Sequence, residues 1–273
     1  MKHITTTQIH IFQDKVFLFY KNDGRKLPWR KTTDPYKILL SEFMLQQTQV
    51  LRVISYYKKW IKKWPTINDL ATASRSDVLQ MWMGLGYNKR ALSLQKSAQI
   101  ISQTYHGDVL LAMNHFLTLL GVGLYTSNAV QIFAANADIV TVDTNIRRIL
   151  IHEFHLPQDT SKKDLWTLAE RCLPKGNSRD WHNALMDYGS IVLTARKTDI
   201  APCTHQSRFE GSNRQIRATI LRILLVSSFS YSELSEKIDV DNTRLRKILE
   251  KLIQEEIIIL HNKRYQIREE RSN

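Results

Sequence analysis

The sequence predicts a mainly α protein with a small α+β module at its C-terminal end. Between residues 8 and 200, apolar residues recur at helical spacing in successive segments, without strand-like pairs of any length. After an irregular polar stretch, Arg196–Ser212, three helical segments precede two short apolar runs around a turn. We therefore expect a larger domain over residues 1–212 and a C-terminal module over residues 213–273.

Apolar faces and start signals indicate the first helices. The segment Gln8–Tyr20 has its apolar residues on one helical face, and a short extended element, Leu27–Arg30, follows it. Pro35, in the first turn after Asp34, starts an unusually apolar helix over Tyr36–Thr48. The next helix, Val50–Trp64, carries four lysines, which we interpret as a solvated face.

Two glycine-rich turns each open a helix. The first, Gly84–Arg90, reads GLGYNKR, and the second, Gly121–Gly123, precedes a helix over Thr126–Ala134. The exposed N–H groups at a helix start favour an anion such as phosphate, and Lys89 and Arg90 add positive charge. Together the turns predict contacts with a phosphate backbone.

The chain continues as helices and closes with the module. An extended Ile139–Val142 precedes three helices, at Asn145–Phe154, Lys162–Leu173 and Trp181–Leu193. In the module we predict three helices and a β-hairpin, at Arg214–Val226, Ser232–Ile238, Asp241–Glu255, and Ile257–Leu260 with Arg264–Ile267. This is the pattern of a winged helix with Asp241–Glu255 as the recognition helix. The alternative is a module that packs against the main body or a partner protein.

Composition restricts the partner and the compartment. The net charge of +13 and pI near 9.7 indicate a polyanion, and the chain lacks an apolar run of about 20 residues that would span a membrane. The N-terminal segment resembles neither a signal nor a transit peptide, so we expect an intracellular protein of the cytoplasm or nucleoid. Two cysteines support no disulfide framework, and His152 with His155 is more typical of a surface than of a metal site.

Two carboxyl groups are candidates for chemistry. Glu42 lies inside the apolar stretch KILLSEFMLQQTQV, where it either points to solvent or has a raised pKa, which suits a general acid. Asp143 comes just before the next helix, with Asn145 two residues later. It is either a helix cap or a catalytic carboxylate.

The motifs together resemble the helix-hairpin-helix (HhH-GPD) DNA glycosylase superfamily, and within it the MutY-like adenine glycosylase branch. The matching segments cover residues 8 to about 212 in the family's order: LPWR, DPYKILLSEFMLQQTQV, GLGYNKRA, GVGLYT, VDTNIRR and ALMDYGS. The resemblance implies two helical lobes with double-stranded DNA in the cleft, and a target base that leaves the duplex before it is excised. We expect the protein to be a monomer.

The resemblance also assigns site residues. Glu42 matches the catalytic acid, Asp143 the carboxylate of the family motif and Asn145 its neighbour, while Tyr125 stands where bifunctional members have a Schiff-base lysine. The expected base pocket comprises Trp29, Arg30, Leu45 and Asp187. The expected DNA contacts comprise Gln47, Leu85, Gly86, Tyr87, Lys89, Arg90, Gly121, Val122, Gly123 and Thr126.

Two departures from the family change the expectations. The positions that match the family's four cluster cysteines hold Leu193, Ile200, Cys203 and Phe209. One cysteine cannot hold a [4Fe–4S] cluster, so we expect none, with apolar contacts of Leu193, Ile200 and Phe209 in its place. The Nudix-like domain that reads 8-oxoguanine opposite adenine is missing from its place, and the segment DTN resembles thymine-excising relatives. The QQTQ and GLGY motifs favour the adenine branch, so we expect excision of adenine opposite G or 8-oxoguanine. The alternative is excision of thymine or uracil opposite G. A non-catalytic DNA-binding protein and an alkali metal ion at the Gly121–Gly123 hairpin stay open.

Overall fold

A computed structural model describes residues 4–200 and 208–269 of the chain. They form two compact units. The first unit comprises Met1–Glu42, Val109–Thr118 and Val122–His205, and the second comprises Phe43–Asp108, Leu119–Gly121 and Gln206–Asn273. The second unit therefore includes the C-terminal segment together with an earlier part of the chain. The domain boundary at residue 212 stays a prediction.

The described part of the chain is mainly helical, which confirms the predicted fold class. Up to residue 200 the helices are α1 (Thr6–Asp23), α2 (Pro35–Leu45), α3 (Val50–Lys63), α4 (Ile67–Ala71), α5 (Arg75–Trp82), α6 (Lys89–Thr104), α7 (Val109–Met113), α8 (Leu124–Ala135), α9 (Thr144–Glu153), α10 (Lys162–Cys172), α11 (Ser178–Ile191) and α12 (Ala195–Thr198). Short 3₁₀ helices occupy Pro28–Lys31 and Phe116–Thr118. Beyond residue 207 follow α13 (Asn213–Leu224), β1 (Phe229–Ser230), α14 (Tyr231–Lys237), α15 (Asn242–Gln254), β2 (Ile258–His261) and β3 (Arg264–Ile267).

Local chemistry explains where the first helices differ from their predicted ends. α1 begins two residues early because Thr5 forms a capping box: its hydroxyl accepts from the Gln8 N–H (3.2 Å), and the Gln8 side chain accepts from the Thr5 N–H (2.9 Å). α2 ends at Leu45, three residues before the predicted end. Gln47 has a φ of +56°, a left-handed conformation that a helix cannot continue through.

The C-terminal module contains a strand that was not predicted. Phe229 and Ser230 form β1, which pairs antiparallel with β3, and the sheet order is β1–β3–β2. A two-residue strand is too short to show an alternating pattern in sequence. The predicted hairpin is present, with Asn262 and Lys263 both at positive φ in its turn. The irregular stretch Arg196–Ser212 was also predicted incompletely, because α12 lies partly within it.

Each unit has an apolar core. In the first unit α1, α9, α10 and α11 pack around aromatic side chains, with the Phe12 ring 5.2 Å from Phe154 and 5.4 Å from Trp181, centroid to centroid. In the second unit Leu79 of α5 is buried in the same core as the module's helices and sheet. The module therefore shares its core with α5, and the role of Asp241–Glu255 as a recognition helix stays a prediction. Across the described ranges, the helices all lack the combined length and apolar character needed to cross a bilayer.

Candidate active site

Glu42 is a buried carboxyl group on α2. It is 8% exposed, and its neighbours Leu39, Leu40 and Met44 are fully buried. Burial, together with the negative charge of Asp143, raises the pKa of Glu42 to about 7, although a hydrogen bond from the Tyr125 hydroxyl opposes the shift. Of the two alternatives for Glu42, the structure therefore selects the raised pKa. A pKa of about 7 allows Glu42 to carry a proton near neutral pH, which suits a general acid.

Asp143 is the N-cap of α9. Its carboxylate accepts hydrogen bonds from the Ile146 N–H (2.7 Å) and from the Asn145 side-chain amide (2.9 Å). Burial raises the pKa of Asp143 above its ordinary value, against these donors and the charge of Arg148. The donors at the start of α9 lower the pKa of Asp143, but burial raises it by more. Glu42 has one hydrogen-bond donor and Asp143 has several, so the protein stabilises the ionised form of Asp143 more than that of Glu42.

Arg148 supports this pair and was missed from the sequence. Its guanidinium donates to the Asn145 side-chain oxygen (2.8 Å), the Gly189 carbonyl (2.7 Å) and the Leu193 carbonyl (2.6 Å). Since the Asn145 oxygen is engaged by Arg148, the amide nitrogen faces Asp143. The only signal in the sequence is the spacing of three residues, which places Asn145 and Arg148 on one side of a helix.

The glycine hairpin leads into α8, which carries Tyr125. Gly121 has a φ of +77°, and a Cβ there would lie 2.9 Å from the Phe43 ring and 3.1 Å from Ser93. A Cβ at Gly123, the N-cap of α8, would meet no heavy atom within 4 Å. Val122 and Thr126 are buried, so a partner at this turn would meet backbone rather than their side chains. Gly121 is thus required by the fold, whereas Gly123 leaves open space at the helix start.

Asp187 belongs to a satisfied ion cluster. Its fully buried carboxylate accepts from the Arg30 guanidinium (2.7 and 2.8 Å), from the Arg25 side chain (2.6 Å) and from the Arg25 N–H (2.7 Å). Burial alone would raise the pKa of Asp187, but Arg30 and Arg25 outweigh it and lower the pKa. Sequence reasoning missed Arg25. Trp29 is buried in the same unit, whereas Leu45 belongs to the second unit.

The turn Leu85–Tyr87 and the end of α2 are joined by Arg90. The Arg90 guanidinium donates to the Phe43 carbonyl (2.8 Å), the Gly86 carbonyl (3.0 Å) and the Thr48 hydroxyl (3.1 Å). These acceptors compete with the phosphate that we predicted as the partner of Arg90, because the last carbonyl groups of a helix need hydrogen-bond donors. Burial lowers the pKa of Arg90 to about 10.

The other predicted contact residues of the second unit differ in exposure. Leu85 is buried, Gly86 and Tyr87 have positive φ, and Tyr87 is 43% exposed. Gln47 and Lys89 are exposed.

The predicted cluster positions were also located. Leu193 and Ile200 lie in the core of the first unit, but Phe209 is 55% exposed, so the expected apolar replacement is wrong for Phe209. Cys203 lies outside the described residues. Among the described residues, histidine, cysteine and carboxylate side chains form no group of three that could hold a metal ion, and His152 lies 3.7 Å from Glu153. A [4Fe–4S] cluster needs four cysteine thiolates, and these side chains do not supply them.

The chain is similar to known DNA repair proteins in sequence and in fold. A family model described as "HhH-GPD superfamily base excision DNA repair protein" matches residues 40–175. The adenine DNA glycosylase of Mycolicibacterium smegmatis is 36% identical over 76% of this chain and 78% of its own, and that of Mycobacterium tuberculosis is 30% identical over 91% and 90%. A solved thermostable thymine-DNA glycosylase superposes with a TM-score of 0.65 and 31% identity, over 70% of this chain and 90% of its own. The predicted resemblance and enzyme class are confirmed: the chain belongs to the HhH-GPD superfamily of base excision DNA repair proteins.

Proposed function

We propose that the chain is a monofunctional DNA glycosylase of base excision repair that acts as a monomer on double-stranded DNA. Its reaction hydrolyses the N-glycosidic bond of a flipped adenine mispaired with G or 8-oxoguanine. The observation that carries the proposal is the pair of Glu42, whose pKa is raised to about 7, and Asp143, in a chain related to curated adenine DNA glycosylases.

The two carboxyl groups divide the chemistry. As the bond between C1′ and the base nitrogen breaks, the bonding electrons leave with the base, and the Glu42 proton neutralises the charge that develops there. The ionised Asp143 stabilises the oxocarbenium-like sugar. Water then adds its oxygen to C1′ and releases a proton that restores the acid. Asn145, held by Arg148, keeps the Asp143 carboxylate in position.

Tyr125 supports hydrolysis without lyase action. A lyase step needs an amine that attacks C1′, and a phenol hydrogen-bonded to Glu42 supplies none. We expect borohydride to trap no covalent complex with DNA. A trapped complex that depends on one lysine would contradict this assignment.

The enzyme we propose works without an iron–sulfur cluster. Two cysteines cannot supply four thiolates, and Leu193 and Ile200 occupy the core instead. The purified protein should be colourless and free of iron, whereas stoichiometric iron would contradict the proposal.

Excision of thymine or uracil opposite G is the second candidate. Two observations favour it: the 31% identity to a thymine-DNA glycosylase, and Thr144 in the position where the adenine branch more usually has glycine. The predicted pocket residues do not separate the two bases, because Asp187 and Arg30 are engaged with each other.

One panel of duplexes separates the candidates. Duplexes containing A:8-oxoG, A:G, T:G or U:G are incubated with the protein and then heated in alkali, which breaks the strand at an abasic site. Cleavage of the adenine strand supports the main proposal, and cleavage of only the T:G and U:G duplexes supports the second. Binding without cleavage of any duplex would make the chain a non-catalytic DNA-binding protein.

A further inference from the structure

The C-terminal module and α6 enclose a cleft in the second unit. Its volume is about 720 Å³, and α6 forms one wall while the outer face of the β2–β3 hairpin forms the other. Lys89, Leu92, Ser93 and Lys96 line it from α6, and Ile259 and Arg268 line it from the hairpin. Leu120, which directly precedes the glycine hairpin, also reaches the cleft. The cleft thus adjoins both glycine-rich turns that predict phosphate contacts.

The α6 wall presents positive charge with regular spacing. Residues 89, 92, 93 and 96 lie on one face of the helix, and Lys89 and Lys96 are two turns, about 10 Å, apart. Both lysines are exposed, and neither makes an ion pair with a residue in the described ranges. One DNA strand carries a phosphate about every 3.4 Å along the axis, so this distance spans about three phosphates.

Each acidic residue of the cleft already has a partner. Glu255 pairs with Arg217, and Glu256 pairs with Arg268 at 3.0 Å. Glu269 accepts hydrogen bonds from the backbone N–H groups of Arg75 and Ser76, both at 2.9 Å. Arg75, which also lines the cleft, donates to the Glu256 carbonyl at 2.7 Å. The partners of these carboxylates among the described residues therefore do not include Lys89 or Lys96.

We propose that this cleft is a second DNA-contact surface, in which Lys89 and Lys96 hold the phosphate backbone of duplex flanking the target base and the module forms the outer wall. The inference rests on the proposed function, because it takes DNA as the partner. It gives the C-terminal module a role in general DNA affinity. Since phosphate contacts carry no sequence information, the effect is the same for matched and mismatched duplexes.

The test is binding of a fully matched duplex of about 30 base pairs to the full chain at several salt concentrations. Lys96→Glu should weaken binding about tenfold at low salt and reduce the slope of log affinity against log salt by about one. Lys96→Arg, which keeps the charge, should restore both. Lys163→Glu on α10 makes the same charge change on an exposed lysine of the first unit and is the matched control. Thermal unfolding of each variant identifies any loss of folded protein.

The hairpin wall is tested separately at Ile259. Ile259→Lys should tighten binding of the matched duplex several-fold compared with Ile259→Gln, because only the lysine adds a charge facing the backbone. Wild-type affinity and salt slope in Lys96→Glu would overturn the proposal, and equal binding by the two Ile259 variants would remove the hairpin from the surface. Matched-duplex binding needs no excision. If the wild type excises no base but Lys96→Glu still binds weakly, the proposed function fails and this inference stands.

Discussion

Glu42 and Asp187 are both buried carboxyl groups of the first unit, yet their surroundings drive their protonation in opposite directions. Asp187 accepts four hydrogen bonds from Arg25 and Arg30, and its pKa is lowered. Glu42 has one tyrosine hydroxyl and a second carboxyl group nearby, and its pKa is raised to about 7. Burial alone therefore does not identify a functional acid. What distinguishes it is burial without a compensating cation.

The largest expected effect is on excision. Glu42→Gln keeps the shape of the side chain but removes the transferable proton, so the single-turnover rate should fall about a thousandfold. DNA affinity, measured on the same duplex, should change little because the amide stays in the protein interior. A variant that retains more than a tenth of the wild-type rate would show that Glu42 is not the acid.

The second largest expected effect is the loss of stability when the Asp187 carboxylate is removed. Asp187→Asn removes the negative charge shared by Arg25 and Arg30, and we expect the free energy of unfolding at pH 7 to fall by about 3 kcal/mol. Urea unfolding measures it. Asp159→Asn, at an exposed aspartate, is the control and should change stability by less than about 0.5 kcal/mol. Equal stability of the two variants would contradict the role of the ion cluster.

In the same urea assay, Glu42→Gln should raise the free energy of unfolding, whereas Asp187→Asn lowers it. The folded pKa of Glu42 is raised above its unfolded value, so the protonated side chain stabilises the fold below about pH 4.5 and this stability is lost as pH rises to about 7. At pH 8 the variant should be more stable than the wild type by up to about 3 kcal/mol. The difference should disappear near pH 4, and its persistence there would point to a packing effect instead.

A smaller effect is expected where Arg148 holds the Asn145 amide. Arg148→Lys keeps the charge but cannot reach Asn145, Gly189 and Leu193 together, so we expect about a tenfold loss of single-turnover rate. Affinity for a matched duplex should be retained. Arg147→Lys, at the adjacent arginine, is the control. A wild-type rate for Arg148→Lys would show that Asp143 needs no such support.

The smallest effect concerns the one donor to Glu42. Tyr125→Phe removes the hydrogen bond that lowers the pKa of Glu42, so this pKa should rise further. Excision needs the protonated acid, and the fall in rate above about pH 7 should therefore move to higher pH. The pH dependence of the single-turnover rate measures the shift. A fall in rate that moves to lower pH would contradict the hydrogen bond between Tyr125 and Glu42.

Periodicity and local motifs in the sequence were sufficient to predict most of the helices and the family of this protein. The run of helices and the two glycine-rich turns followed from residue types and spacing, because helix faces and caps are local properties. The pairing of Glu42 with Asp143 followed from the resemblance to the family. The motif order identified the family that the comparisons confirm. Two strands of the C-terminal sheet were also predictable, but the two-residue β1 carried no pattern.

Only the tertiary structure decided which charges are compensated. Arg90, a predicted phosphate ligand, donates to the end of α2, and Arg25 and Arg148 received no role until Asp187 and Asn145 were found beside them. Arg25 and Asp187 are far apart in the chain, so their spacing shows no periodicity. The protonation of Glu42 likewise depends on Asp143 and Tyr125, which the fold brings to it. The sequence therefore predicted the candidate catalytic groups, and long-range packing set their charge.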